Sequence, residues 1–145
     1  MLNQLKDVFK SLESHKVRYV VIGGIAAVLY GVPSSTFDLD ILIDSTLENA
    51  QKLLDALLES NLGSALLTDA QQVLSHEISV FEDRVRIDVQ TRTPGITFAK
   101  AWEDRVTMDY RGQKLYVISR DHLIATKLAA GRDIDLEDVR ILKKN

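Results

Sequence analysis

The stretch FDLDILI, residues 37 to 43, places two aspartates one residue apart inside an otherwise apolar segment. Its alternation reads as a buried strand, with Leu39 and Ile41 turned to a core. Residues two apart on a strand share a face, with about 6.5 Å between their Cα atoms, so Asp38 and Asp40 converge on the opposite side. Two negative charges in so small a volume are costly unless something positive sits between them. Solvated strand edges and loop caps are the ordinary uses of aspartate, but neither accounts for a pair in this setting.

The flanking sequence extends the pattern. RYVVIGG is an apolar, β-branched run stopping at Gly23 and Gly24, which reads as a strand ending in a tight turn, and IAAVLYG follows as a short helix. GVPSST is a loop. Residues 2 to 14 carry Leu2, Leu5, Val8, Phe9 and Leu12 at helical spacing. Ser45 and Glu48 form a capping-box pattern that opens a helix with Leu47, Ala50, Leu53, Leu54, Leu57 and Leu58 on its apolar face, ending near Asn61 and Gly63. HEISVF and RVRIDVQ are expected to pair as an antiparallel hairpin, and RVTMDY and QKLYVI as another. The tail reads as two helices broken at Gly131, with Ser119 and then Asp133 or Asp135 as candidate N-caps. This order predicts an α+β fold (α/β in looser usage): a mixed, mostly antiparallel sheet with helices packed on it. A length of 145 residues is most economically one domain, residues 1–145, with its C-terminal helices from about residue 120.

Hard divalent cations with oxygen ligands are the natural partners of paired carboxylates, magnesium first and manganese as the alternative. Mg²⁺ binds through one or two carboxylates plus substrate phosphates, which points to nucleotide chemistry. Gly23 and Gly24, at a strand-to-helix turn, would let a phosphate approach the backbone. Alone such a pair is more often structural; beside Asp-x-Asp the balance reverses. In RVRIDVQTR, Val85, Ile87 and Val89 alternate with polar residues, so Asp88 projects from the polar face as a candidate third carboxylate, both ligand and general base. The competing reading of Asp88 is a salt bridge to Arg86 or Arg92.

Gly23, Gly24, Asp38, Asp40 and Asp88 together resemble the motif of the nucleotidyltransferase superfamily that includes DNA polymerase β and the minimal nucleotidyltransferases of prokaryotes. The resemblance covers most of residues 18 to 90, and Thr36 stands two before the first aspartate as in many small members. It implies the nucleotidyltransferase fold and attack of an acceptor hydroxyl on the α-phosphorus of a nucleoside triphosphate, with pyrophosphate leaving. Asp38, Asp40 and Asp88 are then the catalytic and metal-holding residues, and Gly23, Gly24 and Thr36 belong to the nucleotide site. ATKLAAGRDIDLEDVRIL resembles the C-terminal helices of abortive-infection and toxin-antitoxin members more loosely. There Lys127 would reach the phosphates, oriented by Asp135 or Asp138; charges on a solvated helix face are the bland reading. Gly24 and Ser34 depart from the pattern, standing where many relatives carry a serine and a basic residue.

The remaining features narrow the partners. A net charge of -3 and a pI near 5.6 argue against a chain whose main business is gripping nucleic acid. The absence of cysteine excludes thiolate metal sites, and His15, His76 and His122 lack ligand spacing. MLNQLKDVFKSLESHK reads as neither a signal peptide nor a membrane span, so a cytoplasmic location is expected. The expected partners are a nucleoside triphosphate and a hydroxyl acceptor on a protein, RNA or small molecule, with an external protein partner plausible. The alternative is a weakly active or inactive module that binds a protein partner in a toxin-antitoxin type of pair, or a homo-oligomeric scaffold.

Overall fold

The computed structural model describes residues 2–34 and 38–145. A 3₁₀ turn at Leu2–Leu5 leads into α1 (Lys6–Ser14), followed by β1 (Tyr19–Ile22), α2 (Gly23–Leu29), β2 (Asp38–Ile43) and α3 (Leu47–Glu59). Then come a 3₁₀ turn at Gly63–Leu67, α4 (Ala70–Ser75), β3 (Ile78–Glu82), β4 (Arg86–Gln90), α5 (Phe98–Glu103), β5 (Val106–Tyr110), β6 (Gln113–Val117), α6 (Arg120–Ala130) and α7 (Asp133–Lys144). The strands form one six-stranded sheet in the order β3-β4-β2-β1-β6-β5. Three pairings are antiparallel and two, β1 with β6 and β2 with β4, are parallel. The expected mixed α+β architecture is present, including both hairpins.

β1 lies inside the sheet and is buried along its whole length, which is why it reads as an unbroken apolar run. β2 beside it alternates: Leu39 and Ile41 are fully buried, while Asp38 and Asp40 are not. Ile87, Val89 and Phe81 carry the same apolar layer across β4 and β3 and join Phe9, Leu12, Leu53 and Leu57 of α1 and α3 in one core. α6 and α7 pack as a helical pair, and α2 touches both β2 and α6.

Several local details differ from the sequence reading. Thr46, not Ser45, caps α3 by accepting from the Asn49 N–H at 3.1 Å. The Ser45 hydroxyl donates instead to the Thr91 carbonyl at 3.1 Å, and Glu48 pairs with Lys52. At α7 the N-cap position belongs to Arg132, and Asp135 reaches back to accept its backbone N–H at 3.2 Å. Ser119 caps α6 and Gly131 ends it in the left-handed conformation, as the sequence indicates. α4 and α5 are six-residue helices capped by Asp69 and Thr97, too short for a helical repeat to show. Among the described residues, no helix is long and apolar enough to cross a membrane.

Candidate active site

The parallel pairing of β2 with β4 sets Asp40 directly beside Asp88 and Asp38 beside Arg86. Neighbouring strand residues in register share a face, so the three carboxylates and one guanidinium occupy a single patch. Arg86 Nε donates to Asp88 Oδ1 at 3.0 Å and lies 3.8 Å from Asp38 Oδ2. The ion pair between Arg86 and Asp88 is therefore real, while Arg92 pairs with Glu77. The side chains of Asp38 and Arg86 are 47% and 41% exposed and that of Asp88 17%, so the patch opens to solvent at the Asp38 end.

Asp40 is the most perturbed of the three. Burial, the charge of Asp88, a hydrogen bond shared with Asp88 and the charge of Asp38 push its carboxyl up to about 7, against a smaller opposing pull from Arg86. The turn from β1 into α2 packs onto this same side chain. Gly23 has φ +68°, and a Cβ there would stand 2.4 Å from Asp40 Oδ2. Both the backbone conformation and the space demand glycine at that position.

A cavity of about 430 Å³ lies against this face, lined among others by Gly23, Gly24, Ser34, Asp40, Lys127 and Arg132. The structure thus brings the glycine turn and the second aspartate onto one cavity with Lys127, which lies 87 residues beyond Asp40 along the chain. Lys127 is nearly buried, with Nζ 2.9 Å from Asp138 and 3.6 Å from Asp135. Asp138 and Asp135 thus both hold it. Arg132 binds Asp135 through Nε at 2.7 Å and Nη2 at 3.1 Å. These bonds hold the Asp135 carboxyl below the usual range, and the Arg132 side chain, 73% exposed, extends along the cavity wall within the field of Asp40. Asp38 and Asp88 are not lining residues of this cavity. Thr36 lies outside the described residues.

Arg132 was not singled out by the sequence reading, although RDIDLED contains the Arg-to-Asp spacing of three that a helix start uses. Arg86 entered only as a partner for Asp88; its contact with Asp38 depends on a long-range strand register. Among the described residues no three acidic or histidine side chains converge on a common metal position. The donor set nevertheless suits a hard divalent cation: it is all oxygen, anionic, and has two carboxylates in register with too little positive charge between them.

No curated protein matches the sequence. Solved structures resemble it in fold. A candidate nucleotidyltransferase from Thermotoga maritima, TM1012, superposes with a TM-score of 0.64 at 19% identity, over 99% of this chain and 93% of that one. An antigenic nucleotidyltransferase-like protein from Paracoccidioides brasiliensis gives 0.56 at 19% identity, over 95% and 72%. The lincosamide antibiotic adenylyltransferase LnuA, in its lincomycin-bound form, gives 0.56 at 16% identity, over 99% and 96%. Residues 1–143 match a family described as a nucleotidyltransferase of unknown function, DUF6036. The chain belongs to that nucleotidyltransferase family.

Proposed function

We propose that the protein transfers a nucleoside monophosphate from a nucleoside triphosphate, ATP in the first instance, to a hydroxyl acceptor. The observation that carries this reading is the in-register pair Asp40 and Asp88, flanked by Asp38, with Asp40 lining a cavity that Lys127 and Arg132 also line. A triphosphate needs anion-stabilising groups on one side and a cation site on the other, and this arrangement supplies residues for both. ATP is favoured because LnuA, which shares the fold, is an adenylyltransferase.

Asp38, Asp40 and Asp88 would hold Mg²⁺ or Mn²⁺, which when bound neutralises triphosphate charge and makes the attacking oxygen more acidic. The acceptor oxygen forms its bond to the α-phosphorus, and the bond from that phosphorus to the bridging oxygen of the β-phosphate breaks. The electron pair leaves with pyrophosphate. Asp88 takes the hydroxyl proton and releases it to solvent. The Gly23 and Gly24 backbone offers close approach to the phosphates, and Lys127 and Arg132 face the charge that develops on the leaving group.

The test is incubation of the protein with Mg²⁺, α-labelled ATP and fractionated cell extract. Label should move to an acceptor with the wild type and not with Asp40→Asn. Transfer by wild type and variant alike, or by neither with each of the four labelled triphosphates, overturns the proposal.

A further inference from the structure

Among the described residues, the ion pairs of Asp38 and Asp88 are both with Arg86. That guanidinium therefore holds carboxylates which the reading above gives to a metal ion. Its side chain is 41% exposed, and its other same-face neighbour on β4's far side is Glu82 of the edge strand β3, paired with it in register. Asp38, Arg86 and Glu82 thus form one row across β2, β4 and β3, with the cation in the middle. Directly opposed residues lie with their Cβ atoms about 4.5–5.5 Å apart, so a rotation of the long arginine side chain exchanges one acidic neighbour for the other without moving the backbone.

We infer that Arg86 is a displaceable counter-ion of the metal site, holding Asp38 and Asp88 in the metal-free protein and moving to Glu82 when a divalent cation takes the carboxylates. Arg86 is a positioning residue in this scheme. It keeps like charges together while the site is empty and lowers affinity for free metal, because each cation that enters must first displace it. Glu82 has the opposite effect, since it stabilises the arginine in its outward position. The inference rests on the metal reading of the three aspartates, and on the row of charges for everything else.

Mn²⁺ binding to the full chain, followed by electron paramagnetic resonance at pH 8 without nucleotide, tests it independently of turnover. Removing one positive charge from the site should tighten Mn²⁺ binding about fivefold in Arg86→Gln. Arg86→Lys should stay near the wild type. Glu82→Gln should weaken binding about twofold, a sign that a merely structural role for either residue does not produce. Equal or weaker binding in a folded Arg86→Gln overturns the inference; should that variant fail to fold, unchanged or tighter binding in Glu82→Gln does so. If the wild type binds no Mn²⁺ that Asp40→Asn abolishes, the metal reading itself falls and takes this one with it.

Discussion

Asp40→Asn should make the metal-free protein more stable at pH 8 while removing a carboxylate that the proposed metal site would use. Asp40 is pushed from its ordinary 3.8 to about 7 by burial and by its acidic neighbours. Between those values the folded protein binds a proton that the unfolded chain does not, so stability falls as pH rises and stays low above pH 7. The full displacement is worth about 4 kcal/mol at 1.36 kcal/mol per tenfold change in proton affinity. The patch opens to water at Asp38 and the asparagine amide must find its own partner, which together leave a gain of about 1–2 kcal/mol. Urea denaturation in EDTA at pH 5 and pH 8 measures it. The gap between variant and wild type should widen from pH 5 to pH 8, other titrating groups cancelling in the difference. A variant less stable than wild type at pH 8, or a gap independent of pH, refutes the assignment of repulsion at Asp40.

Lys127→Met should destabilise the fold by about 3 kcal/mol, because it takes from Asp138 its close ionic partner beside a nearly buried site and leaves Asp135 to Arg132 alone; equilibrium denaturation reads the loss. Asn49→Leu should cost about 2–3 kcal/mol, since the buried amide of Asn49 bonds the Arg18 N–H and carbonyl and the Asp44 carbonyl, tying β1 to the end of β2. Asp135, whose folded carboxyl titrates below its unfolded value, contributes stability above the unfolded pKa that is lost as pH falls through the folded one. Asp135→Asn should therefore flatten the acid limb of a melting-temperature profile, and an unchanged limb counts against the role of Arg132. Mg²⁺ should raise the melting temperature of the wild type but not of Asp40→Asn.

The two central strands and the aspartates on them were legible because local rules meet there: alternation assigns faces, and the glycines end β1. Arg86 was visible as a residue but not as a bridge, since its approach to Asp38 follows from pairing segments almost 50 residues apart. The same holds for Lys127 and Asp40, which share a cavity only once α6 is docked beside α2. The α3 cap failed for the opposite reason. Ser45 and Thr46 are chemically equivalent capping residues, and the choice between them is made by the Thr91 carbonyl, which draws Ser45 away. α4 and α5 have about one and a half turns each and no periodic face to read.

The contact between Gly23 and Asp40 also orders the ways in which this site can be lost during descent. Any side chain at position 23 collides with the carboxylate of Asp40 before it meets anything else, so the glycine is hostage to the acid. Under the proposed function, copies that abandon catalysis can exchange Asp40 for a small residue at once. They can exchange Gly23 only afterwards, and still against the strain of a positive φ. A chain of this family with a bulky residue at position 23 and aspartate still at 40 should therefore be rare, and the glycine should outlast the chemistry it flanks.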